Sequence, residues 1–235
     1  MEQTSSPFRL PILTYHHISD EIDYYTCVTP SIFREQIREI TKEYGCISLE
    51  EAIQRHERNE PPTGKFALTF DDGYQDTVPM LQEIAGQGLA ATVFIATDHI
   101  AKDNRWNYKA PYIAKVMAED DIRQIAAAGH AVESHAKTHQ CLTKLPDKEL
   151  RLELAESRRV IEQLLGTEVK FFAYPFGLHD TRVREFAAKK YRAAFATHKT
   201  AASEDWIDLF QIHRLSVNRD TPLPAILHYL HGTNT

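Results

Sequence analysis

Short apolar runs alternate with helix-like amphipathic segments along most of this chain, and this alternation limits the folds open to it. Residue patterns predict strands at 11–15, 66–68, 91–96, 169–174, 193–197 and 212–217. They predict helices at 77–87, 120–128, 145–165, 181–190 and 224–230, and two more that begin near Thr29 and Ser48. Alternating strands and helices favour a parallel sheet or a (β/α) barrel. The length of 235 residues suits one large domain, so we expect a single α/β domain over residues 1–235.

Charge and hydropathy exclude several classes of partner. The formal net charge is −6, from 27 basic and 33 acidic residues. Because nucleic acids are bound by basic faces, we expect no nucleic-acid partner and a neutral rather than polyanionic substrate. No run approaches the ~20 apolar residues that a membrane span requires. Nothing in the pattern indicates an oligomeric state.

The cysteines and the first residues bear on the cellular compartment. Cys27, Cys46 and Cys141 are odd in number and far apart, so no disulfide framework is indicated. The amino-terminal residues have neither the basic start nor the apolar stretch of a signal peptide. We therefore expect a cytoplasmic protein for the sequence as it stands. An exported protein whose leader had been removed would have the same sequence pattern.

Two polar segments carry most of the chemistry, one after the apolar run at 66–68 and one after the apolar pair Ala131 and Val132. Residues 69–74 read Thr-Phe-Asp-Asp-Gly-Tyr, and residues 134–139 read Ser-His-Ala-Lys-Thr-His. Two histidines four residues apart would share one face of a helical turn. Two histidines and one carboxylate can hold a divalent metal and leave positions open for water and substrate. The second carboxylate would then be free to act as a base on that water, which is a hydrolase pattern.

These segments resemble the first two motifs of the polysaccharide deacetylase family, the nodulation-type carbohydrate esterases. A third motif is similar at residues 173–177, Ala-Tyr-Pro-Phe-Gly, and the resemblance runs from Tyr15 to about Val217. The motif style is nearest to that of poly-N-acetylglucosamine deacetylases. The resemblance implies a distorted (β/α) barrel and a metal-dependent hydrolase that removes acetyl groups from N-acetylated, occasionally O-acetylated, sugars.

The resemblance also implies roles for the first two motifs. Asp72, His135 and His139 match the family's metal ligands, and Asp71 matches its general base. Zinc is the expected ion, although cobalt, nickel and iron also suit such ligands. Ala136 stands where many members have a small hydroxyl residue, which affects a hydrogen bond behind the ligands rather than the ligands themselves.

The general acid is expected from the amino terminus. Tyr15 and His16 resemble a Tyr-His element that supplies the acid in one branch of the family, so His16 is our candidate. In other branches a histidine near the carboxyl terminus does this work. His17, His228 and His231 are therefore the alternatives.

The third motif implies a binding site for the developing oxyanion. Phe176 would donate a hydrogen bond from its main-chain N–H, and Pro175 would border the substrate. Many members carry a base-orienting arginine where this chain has Ala173. We expect Arg214, on the last predicted strand, to take that place, the alternative being an ordinary surface salt bridge.

Two aromatic residues complete the expected site. Trp206, after Asp205, resembles a fourth motif whose tryptophan walls the acetyl pocket, but a core or surface tryptophan would fit as well. Tyr74 follows Gly73 closely enough to line the sugar site, with plain packing as the alternative.

The predicted function is hydrolysis of the N-acetyl group of a sugar or polysaccharide, with release of acetate. The alternatives are a cytoplasmic deacetylase or deformylase of a lipid- or nucleotide-linked sugar, a short amide hydrolase acting on substrates other than sugars, and a catalytically silent carbohydrate-binding barrel. Asp71 counts against the silent barrel, because binding alone would not need a base.

Overall fold

A computed structural model describes residues 10–107, 110–198 and 208–232. The strands in chain order are β1 Ile12–Tyr15, β2 His17–Ile18, β3 Cys27–Val28, β4 Gly45–Cys46, β5 Lys65–Phe70, β6 Thr92–Ile95, β7 Ala131–Ser134, β8 Phe171–Ala173, β9 Ala193–His198 and β10 Ile212–Ser216. The helices are α1 Pro30–Ile40, α2 Leu49–Glu57, α3 Val78–Gly86, α4 Glu119–Ala127, α5 Asp147–Leu165, α6 Thr181–Ala188 and α7 Leu223–Gly232.

Seven parallel strands close into a barrel. Their order is β1-β10-β9-β8-β7-β6-β5, and β5 pairs with β1 to complete the ring. The short strand β4 lies beside β5, and β2 pairs with β3 apart from the barrel. The predicted (β/α) barrel is thus confirmed. Since all barrel strands run the same way, the segments that follow them meet at one end.

Alternating side chains divide the core in two. One cluster, which includes Ile12, Ala67, Phe94 and Phe195, shares the strand faces that point into the barrel. A larger cluster lies between the outer face of the barrel and the surrounding helices. Both faces of the strands are buried, which explains why the strands read as continuous apolar runs.

The predicted helix starts are present as side-chain caps. Thr29 Oγ1 accepts a hydrogen bond from the N–H of Ile32, and Ser48 Oγ accepts one from Glu51. The last helix starts close to its predicted position and packs Ile226 and Leu230 into the core. Within the described residues, no helix combines the length and the apolar character that crossing a membrane demands.

Candidate active site

A cavity of about 230 Å³ opens at the carboxyl ends of the barrel strands. Its lining comprises His16, Tyr24, Tyr25, Thr26, Asp71, Asp72, Tyr74, Trp106, Asn107, Tyr112, His135, His139, Tyr174, Phe176, Gly177, Thr197, Ser216 and Asn218. Most candidate residues from the two polar motifs are therefore brought together, although they come from distant parts of the sequence.

Asp72, His135 and His139 form a buried cluster of three metal-ligating side chains. The Nε2 atoms of His135 and His139 lie 3.2 Å and 3.0 Å from Oδ1 of Asp72. One ligand atom from each residue lies within 4.8 Å of those of the other two. Ligands of a tetrahedral zinc ion, at about 2.0–2.2 Å from the metal, would be separated by roughly 3.3 Å. The spacing therefore suits a small divalent cation.

The hydrogen bonds around this cluster also fit a cation. His135 Nδ1 lies 2.8 Å from the carbonyl oxygen of Ala173, so Nδ1 carries a proton, and in the neutral ring Nε2 presents a lone pair. Asp72 Oδ1 is buried and, among the described residues, has no correctly oriented hydrogen-bond donor. A carboxylate oxygen and an imidazole lone pair that face each other repel unless a cation or a proton lies between them.

The two histidines lie on a loop, and the predicted helical turn is wrong. After β7 ends at Ser134, Ala136 and His139 both adopt left-handed backbone conformations, with φ of 63° and 58°. The buried carboxylate of Glu153, on α5, accepts hydrogen bonds from the N–H groups of Lys137 and Thr138 at 2.9 and 2.8 Å. These main-chain donors are bonded by a side chain instead of by a helix, so the four-residue spacing arises from a tight loop.

Strained backbone gathers around the cavity. Among the described non-glycine residues, six have positive φ, and four of these are Asp72, Ala136, His139 and Phe176. Such conformations cost free energy and persist only where the surrounding structure enforces them, which is typical of functional sites.

Asp71 and Arg214 form a buried, two-pronged ion pair. Arg214 Nη1 and Nη2 each lie 2.7 Å from one carboxylate oxygen of Asp71, and both side chains are almost fully buried. Arg214 also donates to Thr69 Oγ1 at 3.1 Å and to the carbonyl of Ala196 at 3.2 Å. These bonds span the interior of the barrel from β9 to β5. Arg214 is therefore not a surface residue.

Burial and neighbouring charge oppose each other at the two carboxylates. Burial alone would raise the pKa of Asp71, but the Arg214 guanidinium holds that pKa below its usual value. At Asp72 burial would likewise raise the pKa, and positive charge on His139 and His135, when these rings are protonated, holds it well below the ordinary range. Both carboxylates are thus ionised at neutral pH, as a base and a cation ligand must be.

His16, which directly follows β1, is another titratable residue that lines the cavity. Its Nδ1 is buried without a hydrogen-bond partner among the described residues. Burial lowers the pKa of His16, an effect that Asp72 and Asp71 partly oppose. The imidazolium form is therefore a stronger proton donor than that of an ordinary histidine.

The alternative histidines lie elsewhere. His17 is fully buried behind the cavity wall, where its two ring nitrogens contact Asp76 and Tyr112. His231 lies 2.7 Å from the hydroxyl of Tyr44, and His228 is exposed on α7. None of the three lines the cavity.

The turn after β8 places one of its two predicted residues on the cavity. Phe176 is 55% exposed, has φ of 61°, and packs its ring edge-on against His139 at 4.7 Å. Pro175, in contrast, is buried and is not among the residues that line the cavity. Gly177 follows with φ of 67°, and a Cβ there would lie 2.5 Å from Thr197 Oγ1. Only glycine fits this close approach.

Aromatic rings form one wall of the cavity. Tyr74 is buried and stacks between His17, at 3.6 Å, and Trp106, at 6.0 Å. Trp106 also packs 5.2 Å from the ring of His139. The predicted tryptophan of the site, Trp206, lies outside the described residues.

The sequence patterns did not identify Tyr24, Trp106 and Tyr112 as lining residues. They come from loops without hydrophobic periodicity, and Trp106 and Tyr112 belong to the long connection between β6 and α4. The sequence did contain one signal for these residues, because a long loop that is rich in aromatic residues and follows a barrel strand is a common place for binding residues.

Comparison with known proteins supports the resemblance. The sequence profile of the family described as polysaccharide deacetylase matches residues 58–194, more than half of the chain. The Bacillus subtilis (strain 168) protein YxkH, which is named within that family, is 26% identical over 223 residues, covering 92% of this chain and 74% of YxkH.

Two further proteins show the range of the similarity. The peptidoglycan-N-acetylglucosamine deacetylase of Bacillus cereus is 28% identical over 113 residues, covering 47% of this chain but only 36% of that protein. The structure of Streptococcus pyogenes deacetylase PplD in complex with acetate superposes with a TM-score of 0.80 at 20% identity, covering 96% of this chain and 99% of PplD. At that identity the superposition shows a shared fold.

The prediction of a carbohydrate deacetylase, and hence of a hydrolase, is confirmed by this family match. The match includes both adjacent aspartates and both histidines of the cavity, together with the turn that carries Phe176. This chain belongs to the polysaccharide deacetylase family.

Proposed function

We propose that this protein removes the acetyl group from an N-acetylated sugar by metal-dependent hydrolysis, with acetate and an amino sugar as products. The observation that carries the proposal is the convergence of Asp72, His135 and His139 beside the ion-paired Asp71 in one cavity. The name of the Bacillus cereus relative supports N-acetylglucosamine as the acetylated sugar.

Asp72, His135 and His139 would hold the metal. A bound divalent cation polarises the acetyl carbonyl and lowers the pKa of a water molecule. Zinc is the expected ion, because two imidazole nitrogens and one carboxylate oxygen are zinc ligands, and cobalt, nickel and iron suit the same set.

Asp71 is the proposed general base. Its carboxylate takes one proton from the water as the water oxygen attacks the acetyl carbon. Arg214 keeps this carboxylate ionised and fixes its plane by binding both oxygens. A base that cannot rotate is held in the orientation that the reaction needs.

Phe176 and His16 are proposed to act on the two atoms where charge develops. The main-chain N–H of Phe176, at the turn on the cavity rim, would donate a hydrogen bond to the oxyanion. His16 would give a proton to the leaving nitrogen as the carbon–nitrogen bond breaks. The water thus supplies its oxygen to acetate, and the nitrogen leaves as an amine.

The aromatic wall suits a sugar ring. Trp106 and Phe176 both pack against His139 and offer apolar ring surface to the cavity, while Tyr74 is buried between His17 and Trp106 and supports the Trp106 ring. The carbon-bound faces of a pyranose pack well against such rings, while polar atoms around the cavity can bind its hydroxyls.

Acetate release from a panel of substrates tests the proposal. The protein would be loaded with zinc, cobalt, nickel or iron and given N-acetylglucosamine oligomers, N-acetylated nucleotide sugars, O-acetylated sugars and a formylated sugar. We expect acetate and a free amine from the N-acetylglucosamine oligomers. Release from none of the substrates with any metal would contradict the proposal, and formate release alone would favour a deformylase.

A further inference from the structure

A buried histidine that the proposed chemistry does not use connects the cavity wall to a carboxylate. His17 is fully buried, with Nδ1 2.6 Å from Asp76 Oδ2 and Nε2 2.9 Å from the hydroxyl of Tyr112. The other oxygen of Asp76, Oδ1, accepts the N–H of Ile18 at 3.2 Å. Both carboxylate oxygens therefore have partners, and His17 is held at both ring nitrogens.

The partners of His17 determine where its proton lies. A carboxylate accepts hydrogen bonds, so Nδ1 carries the proton and donates it to Asp76. In the neutral ring Nε2 is then an acceptor, and the Tyr112 O–H donates to it. The hydroxyl hydrogen of Tyr112 is thus engaged away from the cavity, which leaves only the lone pairs of its oxygen for a ligand.

Tyr112 lies where its oxygen, as a hydrogen-bond acceptor, can contact a ligand in the cavity. Tyr112 lines the same cavity as Asp71 and His16, and its ring packs against those of Tyr24 and His17 at 5.1 and 5.2 Å. Burial raises the pKa of Tyr112, so the phenol keeps its hydrogen at neutral pH. The two ring contacts and the hydrogen bond to His17 keep the phenol oxygen at a fixed place.

We propose that Tyr112 is a specificity-determining residue whose oxygen accepts a hydrogen bond from an N–H or O–H of the sugar substrate. His17 and Asp76 are positioning residues that make Tyr112 an acceptor. This inference rests on the proposed deacetylase function, because the donor is a group of the acetylated sugar. It adds a substrate contact that neither the metal ligands nor Asp71 provides.

The first test removes the hydroxyl alone. Tyr112→Phe should raise KM for an N-acetylglucosamine oligomer by roughly three- to tenfold, the contribution of one hydrogen bond, with little change in kcat. Zinc affinity measured by calorimetry should be unchanged. Tyr44→Phe is a matched control, since it deletes a tyrosine–histidine hydrogen bond to His231 outside the cavity. Equal KM values for both variants would overturn the inference.

Two further substrates show which group of the sugar, the acetamide N–H or a hydroxyl, donates the hydrogen bond to Tyr112. An O-acetylated sugar lacks the acetamide N–H, and 4-nitrophenyl acetate lacks both the N–H and the sugar hydroxyls. If the donor is the acetamide, Tyr112→Phe should affect the N-acetyl substrate only; if it is a hydroxyl, both sugars should be affected. An equal loss on 4-nitrophenyl acetate would overturn the inference, because that ester offers no donor.

The second test reverses the polarity of Tyr112. In Asp76→Asn the amide oxygen should stay on the N–H of Ile18, so the NH₂ group faces His17 Nδ1. The imidazole proton then moves to Nε2, which donates to Tyr112, and the phenol hydrogen turns to the cavity. KM should rise at least as much as in Tyr112→Phe, and the double variant should be no worse than the singles. Additive effects of the two substitutions on KM would contradict the hydrogen-bond chain from Asp76 through His17 to Tyr112.

A spectroscopic measurement is independent of activity. Nitrogen-15 NMR of histidine-labelled protein should show the His17 proton on Nδ1 in the wild type and on Nε2 in Asp76→Asn. A wild-type proton on Nε2 would overturn the inference even if deacetylation is observed. If the wild type releases no acetate from any substrate, the proposed function fails, and the inference fails with it. Thermal unfolding of each variant identifies losses caused by misfolding.

Discussion

Arg214 holds both carboxylate oxygens of Asp71 at 2.7 Å, although the two residues are 143 positions apart in the chain. Arg214 lies on β10 and Asp71 directly follows β5, and these strands are separated only by β1 in the closed barrel. Barrel closure thus brings an arginine from the end of the chain to the carboxylate that we propose as the base.

Replacing this arginine should weaken the base without removing it. Arg214→Lys keeps the charge but cannot bind both oxygens, so the pKa of Asp71 should rise. The base is lost below its pKa, so the acid limb of the pH–rate profile should move to higher pH. At neutral pH we expect a loss of roughly ten- to a hundredfold in kcat, less than the ~10²–10⁴-fold of removing a general base. An unchanged acid limb of the pH–rate profile would show that Arg214 has no role in setting the pKa of the base.

The same pair should also matter for stability. Arg214→Met leaves a buried carboxylate unpaired and should lower the free energy of unfolding by about 3–5 kcal/mol. The folded-state pKa of Asp71 is lowered, so the pair stabilises the wild type above the unfolded-state pKa and this contribution is lost as pH falls through the folded-state value. The destabilisation by Arg214→Met should therefore be largest near neutral pH and shrink on acidification. Urea unfolding at several pH values measures it, and a pH-independent difference would contradict this account.

His16→Ala should separate amides from esters. Without a proton donor the amine is a poor leaving group, so kcat on N-acetyl substrates should fall by roughly 10²–10⁴-fold. Activated esters such as 4-nitrophenyl acetate need little protonation and should retain most of their rate. His228→Ala is the control, because His228 is exposed on α7 and away from the cavity. If His228→Ala shows the amide-selective loss and His16→Ala does not, the acid has been assigned to the wrong histidine.

Glu153 should influence metal binding through the histidine loop. Its carboxylate accepts the N–H groups of Lys137 and Thr138 and the hydroxyl of Thr138, so Glu153→Ala should loosen the loop that carries His139. We expect zinc affinity to fall by roughly 10–100-fold, with partial recovery in Glu153→Gln. Calorimetry measures this directly. Glu156→Ala, which removes only a surface pair with Arg159, is the control, and equal affinities for the two alanine variants would contradict the prediction.

The parts of the fold that follow from local pattern were predictable from the sequence. Apolar runs marked six of the seven barrel strands, all but β7, and Thr29 and Ser48 marked two helix starts, because these signals depend on near neighbours. The strand order placed the polar motifs at one end of the barrel. The role of Arg214 beside Asp71 was expected from the family resemblance, because this chain has Ala173 where many members have the base-orienting arginine, and barrel closure allows it by placing β10 and β5 on either side of β1.

Other features depend on tertiary contacts that no local pattern reports. The spacing of His135 and His139 suits a helical turn as well as a loop. Glu153, on α5, stabilises the loop because its carboxylate accepts the main-chain N–H groups between the two histidines. Trp106 and Tyr112 come from a connection without periodicity, so their places on the cavity wall could not be read from it. Pro175 shares a motif with Phe176, but the left-handed turn exposes Phe176 and buries Pro175.

The central claim is that Asp72, His135 and His139 hold the metal while Asp71 acts as the base. Zinc titration of chelator-treated protein tests it most directly when bound metal and acetate release are measured together for the wild type and Asp71→Asn. Both proteins should bind one equivalent of zinc, and only the wild type should regain full acetate release, with Asp71→Asn slower by roughly 10²–10⁴-fold. Full activity after chelation, or loss of zinc binding in Asp71→Asn equal to that in His135→Ala, would contradict the account.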